Sequence, residues 1–160
     1  MAAIRPRWWL LGLVAVAARF GSSFIGPLEA SRLAHALSMW GVAGFALVNV
    51  RLPGAAIIAI GMFLNALVVS ANGGVMPVSL DAAEIARGCR CLLGPALHIA
   101  MTESTPLGIL GDVVPFPPTG NVYSPGDLLA WIGGAILVAR ISGHPVDAKP
   151  PRPESIMPRS

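Results

Sequence analysis

Apolar residues run along this chain in long unbroken blocks, not in the short alternation of a half-buried strand. After Arg5-Pro6-Arg7 and Trp8-Trp9, one block extends to Ala18, is interrupted by Arg19 and continues weakly to Leu28. Positions 33–50 hold eighteen residues without Asp, Glu, Lys or Arg, and positions 54–71 hold eighteen more. Between them, Arg51-Leu52-Pro53-Gly54 is a break, because Pro and Gly stop a helix. The last block runs from Leu128 to Ile141. Ser124-Pro125-Gly126-Asp127 opens it with Ser at the N-cap, Pro at the first helical position and an acid at the third. A bilayer core about 30 Å thick needs about 17–25 apolar residues of helix. The pattern predicts an all-α integral membrane protein of about four transmembrane helices, over 8–25, 33–50, 54–71 and 124–141. His35, near the start of the second block, is expected at the interface. Asn65, inside the third, is expected to bond across to a neighbouring helix. Ala55 with Ala59, Ala66 with Ser70, and Ala130 with Gly134 stand at helix-packing spacing.

Composition strengthens this picture. Of 160 residues, 54% are hydrophobic and 12% charged, against roughly 25% charged in ordinary soluble domains. The length allows one compact unit. Net charge is +3, but the basic residues do not interleave with aromatics, so nucleic acid is not an expected partner. The residues from Ser142 onward are rich in Pro and charge and lack apolar periodicity, which predicts a disordered tail over 142–160.

The N-terminus has two readings. One is a retained helix in which Arg19 snorkels toward the interface. The other is a signal peptide, with a basic n-region and Ala15-Val16-Ala17 as its small-residue cleavage site. In both, the remaining spans lie the same way. Seven of the eleven Lys and Arg fall on the side of the two termini, which places both ends in the cytoplasm.

The segment 72–123 is too long for a connector, since loops beyond about 12–15 residues are usually functional or disordered. It keeps apolar groups that need cover, so it is expected to be ordered and docked on the ends of the third and fourth spans. Ser79 is read as capping a short helix through Arg87, with Asp81 in its first turn and Gly88 ending it. Asn72-Gly73-Gly74 reads as a turn, with a ligand-binding backbone nest as the alternative. Cys89-Arg90-Cys91 holds the only two cysteines. A disulfide across one residue would be strained, and zinc wants wider spacing and more ligands, so neither structural bond nor metal is expected.

Four motifs in order carry a resemblance. Asn72-Gly73-Gly74, Met76-Pro77-Val78-Ser79, Leu110-Gly111-Asp112 with Pro115, and Ser124-Pro125-Gly126-Asp127 resemble a bacterial membrane family catalogued as a domain of unknown function, number 5317. The similarity covers about 33–141. Pro125 stands where the family usually has Ile, a change that favours a helix start. The resemblance implies a multi-pass protein of the bacterial plasma membrane and supplies no activity.

No phosphate loop, dinucleotide fingerprint, nucleophile elbow or His-Glu-x-x-His helix is present, and no cofactor is expected. The candidate polar cluster is Asn72, His98, Asp112 and Asp127, each with a turn, capping or interfacial role as the plainer alternative. Asp112 is expected beside Asn72 and the start of the last helix. The leading reading is a non-enzymatic envelope scaffold or partner-binding protein. Its partners are the lipid bilayer and either another membrane protein or a second copy. The first rival is an enzyme acting on a lipid or envelope substrate at the outer surface, which needs at least three of those four residues in one pocket. The second rival is a transporter subunit, which needs polar side chains along a path.

Overall fold

The computed structural model describes residue 7 and residues 9–21, 27–92 and 97–142. The first two residues of Arg5-Pro6-Arg7, Trp8, the Arg19 side chain and the tail beyond Ser142 lie outside them. The readings that rested on those residues lie outside with them.

Three helices come first: α1 (Trp9–Gly21), α2 (Leu28–Val48) and α3 (Ala55–Ala71). A small cap follows, made of strand β1 (Met76–Val78), helix α4 (Leu80–Arg87) and strands β2 (His98–Ala100), β3 (Val114–Phe116) and β4 (Asn121–Tyr123). Helix α5 (Pro125–Ser142) returns to the bundle. Its neighbour is α3, which also packs on α2, and α2 packs on α1.

Two features correct the all-α membrane expectation. The cap contains a parallel pair, β1 with β2, and an antiparallel pair, β3 with β4. In addition, no helix among the described residues is long and apolar enough to cross a membrane. The reason is geometric. At 1.5 Å per residue, the 17 residues of α3 reach only about 26 Å. Helix α2 has 21 residues, but its first turns carry Glu29 and Arg32, and its buried side includes Ser31, His35 and Ser38. Helix α5 carries Asp127 in its first turn and Arg140 in its last. The uncharged run 33–50 is not helical throughout: Asn49 and Val50 belong to the turn into α3. The inside–outside assignment of loops and termini presupposed spans and has none to rest on among the described residues.

Much of the apolar sequence is packing surface. Met39, Ala66, Val68, Val69 and Met76 form one core that joins α2, α3 and β1, with Leu110 against it. His35 lies in the same interior, 1% exposed, rather than at an interface. Its Nδ1–H donates to the Gly74 carbonyl at 2.9 Å and pins α2 to the turn after α3.

Helices α3 and α5 meet through glycine. A Cβ on Gly133 would lie 2.6 Å from the Gly54 carbonyl oxygen, and one on Gly126 would lie 2.5 Å from that of Gly61. Gly54 with Gly61, and Gly126 with Gly133, are each seven residues apart, two helical turns, so each pair shares one face. The antiparallel crossing sets 54 against 133 and 61 against 126. Of the alanine pairs read from sequence, Ala55, Ala59 and Ala66 are buried, but Gly134 has nothing within 4 Å of a built Cβ.

The cap has its own core of Val78, Ala82, Ala83, Ala86 and Val122. It is fastened to the bundle a second time by Tyr123, whose ring meets that of Trp131 edge-on at 4.4 Å. Helix α4 forms as its local sequence dictates: Ser79 Oγ accepts from the Ala82 N–H at 3.2 Å, and Gly88 ends it with φ 76°. Ser79→Ala should therefore cost about 1 kcal/mol of stability, measured by denaturant titration of the full chain. The chain reversal after Gly88 sets Cys89 and Cys91 with Cα atoms 5.3 Å apart, and their sulfurs are bonded. This differs from the expectation that no structural bond joins them. Arg90, between them, pairs with Asp81 and Glu84, and the hydrogen bond to Asp81 holds its guanidinium above its ordinary pKa.

Candidate functional site

Strand β1 is the spine of the cap. Met76 N–H donates to Leu97 O and Met101 N–H to Val78 O, which seats β2 on one edge. Asp112 N–H donates to Pro77 O and Ser79 N–H to Asp112 O, both at 2.9 Å, which seats the Asp112 segment on the other. This pairing brings two side chains together. His98 Nε2 stands 3.9 Å from Asp112 Oδ2, within ion-pair range but beyond a direct hydrogen bond. Asp112 is 7% exposed.

The two groups line a cavity of about 130 Å³ with Arg87, Asn121, Val78 and Val122. Arg87 comes from the last turn of α4. Its Nη1 donates to Gly120 O at 3.2 Å, while its Nε is buried without a hydrogen-bond partner. Asn121 comes from β4, and its Nδ2 donates to Thr119 Oγ1 at 3.2 Å. Four polar side chains from separate stretches thus converge on a space flanked by two valines. Sequence reasoning named His98 and Asp112 and missed Arg87 and Asn121. Nothing in local spacing marks those two: Asn121 comes in through the pairing of β3 with β4, and Arg87 through the packing of α4 on those strands.

The other two candidates stand elsewhere. Asn72 is the C-cap of α3, and its Nδ2 donates to Val68 O at 2.7 Å and Pro106 O at 3.0 Å. The turn after it uses its own N–H groups: Gly73 N–H donates to Ser70 O and Gly74 N–H to Val69 O. Both glycines have positive φ, and a Cβ on Gly74 would press on the Arg32 backbone. The segment is therefore a turn with its amides spent inward, not an open nest.

Asp127 belongs to a third place. Its Oδ2 accepts from Ser124 N–H at 3.2 Å, while Ser124 Oγ accepts from Asp127 N–H at 3.0 Å, a capping box at the start of α5. Asn65, wholly buried on α3, donates through Nδ2 to Asp127 Oδ1 at 2.7 Å and accepts from Ser124 Oγ at 2.8 Å. Asn65 does bond across to a neighbouring helix, and the bond fixes helix register. Asp112, expected beside Asn72 and the start of α5, is instead clamped to β1.

A further feature is apolar. Leu37, Leu47, Ile60 and Phe63 are 60, 64, 56 and 46% exposed. A groove of about 620 Å³ runs between α1 and α2, and another of about 520 Å³ between α2 and α3. Among the described residues, no charged residue lines either.

Fold and site together define a short-helix bundle with open apolar faces, carrying a small mixed α/β cap that encloses an ionisable cavity. The chain belongs to a family of unknown function (DUF5317), whose profile matches residues 7–139. The match reaches further toward the N-terminus than the motifs suggested and takes in α1. No curated protein and no solved structure matches the chain.

Proposed function

We propose that this chain is a non-enzymatic partner-binding protein that assembles through its apolar helix faces, and that a second copy of itself is the partner. The observation that carries this is the pair of uncharged grooves beside α2. Exposed apolar patches beyond a few hundred Å² mark interaction surfaces. A two-fold interface sets one patch against the same patch of a second copy, and the face around α2 and α3 carries both hollows and ridges. It offers a floor of small residues, Ala43, Gly44, Ala56 and Ala59, beside ridges formed by Leu47, Ile60 and Phe63. Gly44 has nothing within 4 Å of a built Cβ, so the floor is open to a neighbour's side chain. The positions of Asn72 and Asp127 support the same reading, since each serves a helix end. The enzyme alternative asked for three of four candidate residues in one pocket, and two meet.

The test is Gly44→Leu, which fills the floor without a clash inside one chain. Wild type in a mild non-ionic detergent should elute as a dimer by light scattering, and the variant as a monomer with unchanged helix content. A wild-type monomer across the concentration range, or a Gly44→Leu dimer as tight as wild type, overturns the proposal.

A further inference from the structure

Cys89 and Cys91 are bonded to each other across a single residue, just past the end of α4. The bond is a poor staple. A cross-link stabilises a fold by restricting the unfolded chain, and its effect grows with the length of the loop it closes. This loop has one residue between its ends, so it removes little freedom. The end of α4 is also fixed by other means. Gly88 stops the helix with φ 76°, and its N–H donates to Glu84 O at 2.8 Å. Ala82, Ala83 and Ala86 hold the helix in the cap core with Val78 and Val122.

The placement of the bond favours chemistry instead. Cys91 is exposed and Cys89 half-buried. Arg90, between them, is drawn to Asp81 and Glu84 of α4. Exposed disulfides are the labile, exchanging class, whereas structural ones resist reduction by glutathione. The chain has two cysteines, both in this bond, so a thiol that exchanges with it comes from another molecule.

We infer that the Cys89–Cys91 pair is a thiol–disulfide exchange site that oxidises a cysteine pair of another protein. A thiolate of that pair attacks Cys91 Sγ and forms a mixed disulfide. The Cys89–Cys91 bond breaks, and its electron pair leaves on Cys89 Sγ. The second thiolate of the pair then attacks its neighbour's sulfur in the mixed disulfide and expels Cys91 as a thiolate. The other protein departs as a disulfide, oxidised by two electrons. Cys89 and Cys91 keep those electrons and take up, as thiols, the two protons its cysteines gave up. Glutathione disulfide restores the bond by the same exchange and leaves as two thiols. The inference is independent of the docking proposal, because the sulfurs lie on the cap and the apolar grooves lie on the bundle.

The experiment uses the full-length protein without denaturant and counts free thiols by maleimide labelling and mass. The protein is first oxidised with glutathione disulfide, which should leave no thiol to label. Reduced glutathione at about 5 mM should then open the bond in most chains and expose both thiols. In a separate arm, the oxidised protein meets a short peptide holding two reduced cysteines. The peptide should become its disulfide about one for one with the protein, as both protein thiols appear. Two variants locate the attacked sulfur. Cys89→Ser leaves exposed Cys91 and should form a mixed disulfide with glutathione disulfide about tenfold faster than Cys91→Ser, which leaves half-buried Cys89. A pair that glutathione disulfide cannot close overturns the site. So does a bond still closed in most chains at about 5 mM glutathione, which marks a structural disulfide. A peptide left reduced overturns the exchange activity. Equal trapping rates in the two variants overturn the assignment of Cys91 as the attacked residue.

Discussion

Gly133→Ala is expected to lower the stability of the protein by about 1–3 kcal/mol, while Gly134→Ala, one residue later, raises it by about 0.5–1 kcal/mol. The two positions share a helix, a residue type and a substitution. They differ in what the new methyl group meets. At Gly133 it would lie 2.6 Å from Gly54 O, 2.7 Å from Ile58 Cγ1 and 2.9 Å from Ile58 N. Two of these are backbone atoms that cannot rotate away, so the helices must part. Gly61 and Gly126, seven residues along each helix, would be pulled off their contact as well. At Gly134 the methyl meets nothing within 4 Å, and only the gain in helix propensity remains. Urea denaturation of the two full-length variants reads both signs. Equal effects would mean that the α3–α5 crossing is not held by glycine contact.

Local chemistry was legible in the sequence, and distant pairing was not. The Ser79 cap, the Gly88 stop and the Ser124–Asp127 box are each decided within four residues, and each forms as its residues dictate. The glycine seam is present in the sequence, but at an interval of seven residues. A four-residue interval finds Ala55 with Ala59, whereas an antiparallel crossing between glycines repeats every seven. Lack of charge does not set helix length, because a turn such as Asn49-Val50 can be as uncharged as a helix. Of the four candidate residues, His98 and Asp112 share the cap cavity, while Asn72 and Asp127 serve helix ends. Arg87 read as a last-turn residue of α4, which it is. Nothing short of the packing of α4 on β3 and β4 could have placed it beside Asp112 and Asn121. The apolar excess has two destinations: part is buried between helices, and part is left on the faces of α2 and α3, where the docking proposal puts it.

The polar knot at the start of α5 is the second place where one substitution should cost much. Asp127→Ala removes two interactions at once. It empties the capping box, worth about 0.5–2 kcal/mol, because the Ser124 N–H loses its acceptor. It also strands the Nδ2 of Asn65, which is 0% exposed and has Asp127 Oδ1 as its acceptor at 2.7 Å. A buried donor left without a partner costs about 1–3 kcal/mol. The combined loss should reach about 2–4 kcal/mol, well beyond an ordinary cap deletion. The way to separate the two parts is a double-mutant cycle with Asn65→Leu, measured by chemical denaturation. Asn65→Leu removes the stranded donor in advance, so Asp127→Ala in that background should cost only the cap. A coupling of about 1 kcal/mol or more is therefore expected between positions 62 residues apart in sequence. Additive losses would show that Asp127 serves α5 alone and that Asn65 does not tie it to α3. The sign matters for the fold as a whole, since this contact stands beside Gly61 and Gly126. A Cβ on Gly126 would collide with Asn65 Oδ1, so the knot and the glycine seam hold the same crossing.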